Sequence, residues 1–305
     1  MEKHRKKLIK NAAVFDGHSS GLAHGKKIVI EDDLVTEITG DEVSEENFGE
    51  VFDGTGMVAM PGMTDAHVHM GCLFAKGEFP VDYATVLTVA KCKDALMAGF
   101  TTFRDAGSVS EGLKLAFDEG VLPGPRIYPC GAYISQTCGH GDSEYAHTYR
   151  DIQYRHPSST VLVDGVPEII RAVREQFYRG ASHIKLMATE ILNRHEDIRL
   201  LFGTDMMITG PDYQVEQSED IRYYEKRFGT MRALRALTGT ANEVFALTTY
   251  QNPYPKGKIG VLEAGSYADL LLVDGDPTKS VSVLADTDHL RLIMKGGTVY
   301  KNTLC

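Results

Sequence analysis

The chain has 305 residues, 43% hydrophobic and 24% charged, which is apolar content enough for a packed core and excludes a disordered chain. Its 32 Lys and Arg against 42 Asp and Glu give a formal charge of −10, so there is no basic excess to neutralise phosphates and nucleic acid is not an expected partner. Five cysteines without a C-x-x-C pair fit reduced thiols in a cytoplasmic protein, and no window reaches the ~18 apolar residues of a membrane span.

The basic start, MEKHRKKLIK, turns polar at once, so no signal peptide is expected. Short apolar runs at 7–14, 26–30 and 51–53, broken by Asp-Gly, Ser-Ser-Gly and Gly-Thr-Gly, predict strands. Residues 60–70 predict a longer strand, and 82–97, with Tyr83, Val86, Val89 and Ala90 at helical spacing, a helix. A strand at 100–103, a helix at 112–118 and a strand at 126–134 follow. The helix at 167–178 carries Ile169, Ile170, Val173 and Phe177 on one face, with Pro167 in its first turn. Strands are expected at 183–188 and 198–202, a helix at 230–247, and strands again at 260–262, 268–273, 290–294 and 297–300. Strand–helix alternation between two β-rich ends argues for an α/β fold with a parallel sheet or a (β/α) barrel.

Three segments carry chemistry. In PGMTDAHVH, His67 and His69 stand at i and i+2 on a strand and so share a face, where neutral imidazoles can bind a metal. A three-residue pattern also arises by chance; its place at the end of a first strand, after a Pro-Gly turn, favours the metal. In SHIKLMAT, Lys185 sits inside an apolar run, where it either snorkels to solvent or is chemically altered. In LLFGTD, Asp205 ends an apolar strand, as a helix cap or as a metal ligand and proton acceptor.

Taken together, these segments resemble the amidohydrolase superfamily. MPGMTDAHVHMG, AGFTTFRDAG, GPRIYPCGAYIS, HIKLMAT, LLFGTD, GKIGVLEAGSYADLLLVDGDP and IMKGGTVYKN are similar to its segments, in its order. The resemblance is to the branch of metal-dependent Xaa-Pro or Xaa-Arg dipeptidases, N-acyl amino acid hydrolases and ochratoxin-type amidases. It implies a (β/α)8 TIM-type barrel over 60–255 and a small β-sandwich built from 1–59 and 256–305. It also implies a centre of one or two Zn2+ ions: His67 and His69 as first-strand ligands, Lys185 carbamylated by CO2 as the bridge, and Asp205 as ligand and proton shuttle. His140, in TCGHGD, matches a substrate-facing segment in which Cys138 departs from the usual glycine.

The barrel is expected to be incomplete. The two end segments leave roughly 200 residues where a TIM barrel typically uses ~250. Only strands resembling the first four and the last are recognisable. The stretch between Lys185 and Asp205 is too short for the intervening βα units, and the fifth- and sixth-strand histidines of the family are missing. His195, in the polar run LNRHED, reads as a solvated residue. The expected function is hydrolysis of an amide C–N bond in a small dipeptide or N-acyl amino acid by metal-activated water. The alternatives are an inactive scaffold of the same fold and a cyclic-amide hydrolase of hydantoinase or imidazolonepropionase type. No membrane partner is expected, and a homo-oligomer remains open.

Overall fold

The computed structural model describes residues 6–70, 81–107, 111–137, 139, 141–142, 160–186, 199–207 and 213–304. Near the N-terminus, apolar runs form β1 (Lys6–Lys10), β2 (Ala13–Val14), β3 (Lys27–Glu31), β4 (Leu34–Thr39), β5 (Glu50–Asp53) and β6 (Val58–Pro61). The middle of the chain forms β7 (Met63–His69), α1 (Val81–Met97), β8 (Phe100–Asp105), α2 (Glu111–Asp118), β9 (Arg126–Tyr128), β10 (Tyr133–Ser135), β11 (Thr160–Leu162) and α3 (Val166–Tyr178). Then come β12 (Met206–Met207), α4 (Tyr213–Phe228), α5 (Thr230–Leu237) and α6 (Gly239–Phe245). The chain closes with β13 (Leu270–Val273), β14 (Leu290–Lys295) and β15 (Thr298–Asn302).

The middle strands are parallel, in the order β12-β7-β8-β9. Backbone bonds continue the row at each end. Ala66 N donates to Phe202 O at 2.8 Å and Asp205 N to His67 O at 2.7 Å, laying 199–207 along β7. At the other end Ser182 N donates to Pro129 O, just past β9, at 2.7 Å, and Ile134 N of β10 donates to Lys185 O at 2.9 Å, with Ile134 bridging Leu186 in parallel. Parallel strands alternating with helices make this layer an α/β architecture. Among the described residues the row does not close into a ring.

Two sheets come from the chain ends, one ordered β4-β3-β1-β5 and the other β15-β14-β13-β6-β2. All four residues of β13 are buried, and alternation sends them to different cores. Leu270 and Leu272 pack with Ile9, Ile28, Ile30 and Phe52 of the first sheet. Leu271 and Val273 pack with Met63, Leu96, Phe100 and Phe103 of the parallel layer. A sheet buried on both faces thus couples the chain ends to the strands that carry the candidate site.

Several predicted elements change in detail. The strand expected at 60–70 is two, because the chain passes from one sheet to the next at Gly62; a Cβ there would lie 2.2 Å from Thr101 Oγ1. The helix expected at 230–247 breaks at Thr238, whose φ of −134° is not helical. Residues 260–262 form no strand. The apolar faces of two helices need correction: in α1, Tyr83 and Val86 are 52% and 67% exposed while Ala84, Thr88 and Cys92 are buried, and α3 departs likewise. Ile169 and Ile170, expected on its buried face, are 37% and 44% exposed, and Ala172 and Gln176 are the buried positions. The helix touches the sheet along a narrow stripe, with Ala172 and Val173 packed on Ile134, Val163 and Ile184.

A buried polar cluster ties β9 to the C-terminal sheet. Arg126 Nε and Nη2 donate to Asp269 at 2.7 and 3.1 Å, Gly296 N adds a third bond at 2.7 Å, and the guanidinium lies 3.8 Å from the Tyr267 ring centre. Beside it, Lys295 Nζ donates to Gly124 O at 2.6 Å. Burial, then the Arg126 charge, pushes Lys295 down from 10.5 to about 8. Because the unfolded chain holds that proton more tightly, stability from this site is lowest below about pH 8 and rises toward pH 10.5. Urea melts of the wild type and Lys295→Met across that window should therefore show an upward slope in the wild type that the variant lacks. Parallel profiles would contradict the assignment.

Candidate metal centre

β7 delivers His67 and His69 to one place, with ring centroids 5.4 Å apart. Their shared direction is the strand alternation read from the sequence, adjusted by a register irregularity between Asp65 and Val68. The neighbouring segment brings Asp205. Both imidazole Nε2 atoms face the same carboxylate oxygen, Asp205 Oδ1, at 2.9 Å from His67 and 3.1 Å from His69. Lys185 Nζ reaches His67 Nε2 at 2.9 Å. The structure therefore brings together four of the five residues singled out in the sequence; His140 lies outside the described residues, as do Cys138 and His195. Lys185 is half-buried, less enclosed than a lysine in an apolar strand would be, and 182–186 makes isolated bonds rather than a full ladder.

Backbone geometry makes the convergence possible. Asp205 has φ +56°, the left-handed region that aspartate tolerates better than most residues, and this turns its side chain out of the strand line, 69% exposed. Two residues earlier, Gly203 lets the segment press on β7; a Cβ there would sit 2.7 Å from His67 Cβ. Asp65, missed in the sequence, braces this contact. Fully buried, it accepts from His67 N at 3.2 Å, Thr204 N at 3.3 Å, Thr204 Oγ1 at 3.0 Å and Gln217 Nε2 at 3.3 Å. Burial pushes its carboxyl up to about 6, and the hydrogen bonds hold it from rising further. Its signal was present as an aspartate inside the strand run MTDAHV, where a buried carboxylate demands several donors.

The donor set suits a divalent cation. Burial, then the Lys185 ammonium, pulls His67 down to about 4, so its ring is neutral near pH 7 and free to ligate. His67 Nε2 faces both a lysine donor and a carboxylate acceptor, and the carboxylate oxygen faces two imidazole nitrogens. The ligand atoms of His67, His69 and Asp205 all lie within 4.8 Å of one another. Two imidazole nitrogens and one carboxylate oxygen match a zinc-type site that keeps an open position.

Residues 58–198 match the sequence model of the amidohydrolase family. That match spans somewhat less than half of the chain and includes His67, His69 and Lys185. Over 152 residues the chain is 34% identical to ochratoxinase from Aspergillus niger, a match that covers 43% of this chain and 31% of that protein's length. Among solved structures, an amidohydrolase superposes with a TM-score of 0.84 at 23% identity, covering 98% of this chain and 100% of the other. A prolidase complexed with N-methylphosphonate-L-proline gives 0.82 at 21% identity, covering 97% and 100%. At these identities the structural matches speak for the fold. Among the described residues no helix is long and apolar enough to cross a membrane.

Proposed function

We propose that the chain is a metal-dependent hydrolase that cleaves the amide C–N bond of a dipeptide or an N-acyl amino acid. The observation that carries the proposal is the convergence of His67, His69 and Asp205 with Lys185 beside them, on neighbouring parallel segments. His67, His69 and Asp205 would hold the cation, which when bound polarises the scissile carbonyl and makes a water acidic enough to react near neutral pH. Asp205, exposed and acceptor-only when ionised, takes the proton of the attacking water and returns it to the leaving amine. Lys185, as a carbamate, would add a second anionic ligand, and His140 would face the substrate.

The substrate class follows the relatives: ochratoxinase matches in sequence, and a prolidase binds a proline-bearing phosphonate on the same fold. A division into a hydrolase unit at 60–255 and an end-sheet unit at 1–59 and 256–305, and a cytoplasmic location, belong to the same reading. A second reading is a scaffold of this fold without turnover, which keeps the His67, His69 and Asp205 group but holds no metal.

Metal analysis separates the two. Zinc-loaded and desalted chain should retain about one ion, since three protein ligands are the count of a catalytic zinc and a second tight ion would need further ligands. Retention of none would support the scaffold; retention of two would mean that residues outside the described set complete a binuclear centre. Turnover assays with Xaa-Pro dipeptides, N-acyl amino acids and a cyclic amide then select the substrate class.

A further inference from the structure

Asp205 is the exposed member of the metal-binding group, and among the described residues the polar contacts of its carboxylate are the two imidazole nitrogens. Its position is therefore set by the backbone that carries it, which stands at φ +56°. Backbone bonds hold that segment on either side of the turn: Phe202 O accepts from Ala66 N at 2.8 Å, and Asp205 N donates to His67 O at 2.7 Å. Between them lie Gly203, which offers no side chain, and Thr204.

Thr204 directs both its donors to one group. Its amide donates to Asp65 Oδ1 at 3.3 Å and its hydroxyl to Asp65 Oδ2 at 3.0 Å. The same Oδ1 accepts from His67 N at 3.2 Å. A single buried carboxylate thus joins the backbone of one candidate ligand to the residue beside another. Asp65 is itself anchored, since Gln217 Nε2 of α4 donates to its Oδ2 at 3.3 Å. Two bonds from one residue to one carboxylate fix an orientation as well as a distance. A slide of Thr204 along the strand, or a rotation of the peptide ahead of Asp205, would break at least one of them and leave a buried carboxylate short of a donor.

We propose that Thr204 is the positioning residue for Asp205: its paired bonds to Asp65 hold the Asp205 carboxylate where one cation can join it to His67 and His69. The proposal rests on the reading of these three residues as a metal centre.

The test is titration of metal-free chain with cobalt(II), whose visible absorption bands report ligand geometry. Thr204→Val keeps the side-chain shape and loses the hydroxyl. It should raise the cobalt concentration for half-occupancy by about tenfold, the lower end of the range for losing an outer partner of a metal ligand, and shift the bands. Thr204→Ser should restore both. Gln217→Met removes a donor to the same Asp65 oxygen from α4 rather than from the Asp205 segment, so it should lower the melting temperature and leave half-occupancy unchanged. Each variant is checked for wild-type circular dichroism, and Thr204→Ala replaces the valine variant if that one does not fold. Loss of stability in Thr204→Val with wild-type half-occupancy and bands would overturn the proposal. So would equal weakening of cobalt binding by Gln217→Met, which would place the effect in Asp65 alone. A wild type that binds no cobalt would instead overturn the reading of the metal centre, and this proposal with it.

Discussion

Asp205→Asn is expected to lower turnover of the best amide substrate by about 10²–10⁴-fold, the range typical for removing a positioned general acid–base group. The backbone is the first reason. Asp205 sits at φ +56°, where asparagine is among the few residues accommodated as well as aspartate, so the variant keeps the turn. The amide also keeps the shape of the carboxylate between the two imidazole nitrogens. What disappears is the negative charge and the capacity to take a proton. kcat at saturating substrate is the measurement, with zinc content of the same preparation as its companion, since a neutral amide is a weaker ligand. Near-wild-type kcat would remove Asp205 from the chemistry and leave it as a bend in the chain. Asp205→Ala is the poorer experiment, because it adds backbone strain to the chemical loss.

The largest stability effect is expected at the other end of the parallel strands. Asp269→Ala should cost ~3–5 kcal/mol, the range seen when one partner of a buried ion pair is removed. Asp269 is 3% exposed and accepts from Arg126 Nε, Arg126 Nη2 and Gly296 N. Without it the Arg126 guanidinium stays buried, unpaired and close to the Lys295 amine, since Arg126 and Lys295 already repel. Replacing both partners, Asp269→Leu with Arg126→Met, should cost much less than the sum of the single changes, because no buried charge is then stranded. Urea denaturation of the four chains gives the coupling directly. Additive losses would mean that the two residues act separately, despite contacts of 2.7 and 3.1 Å.

How much of this was legible in the sequence depended on the range of the forces involved. His67 and His69 were readable because strand alternation is local: two residues apart is enough to place both rings on one side. Lys185 stood out as a charge in an apolar run, and the structure puts its amine on His67, a residue 118 positions away. That partnership was visible only through resemblance, because periodicity carries no information about which strands become neighbours. The left-handed turn at Asp205 and the bracing by Asp65 were not legible, since both depend on contact between β7 and the 199–207 segment. The exposed flank of α3 shows the reverse error. Helical spacing identified Ile169 and Ile170 as apolar, but periodicity cannot say whether a partner exists to cover them.

The pairing of β6 with β13 has a consequence for how the chain is made. Pro61 pairs with Leu270 and Val58 with Val273, so one strand leaves the ribosome about 210 residues before its partner. At ~5–20 residues per second, that is a wait of roughly 10–40 s during which Val58, Ala59 and Met60 have no antiparallel neighbour on that side. An apolar strand edge held open for so long is a template for pairing with other nascent chains. Yield during overexpression should therefore respond to slower initiation, lower temperature or added holdase chaperones more than to changes in the site. For the same reason, a chain truncated before Leu270 should accumulate as aggregates even with every candidate metal ligand present.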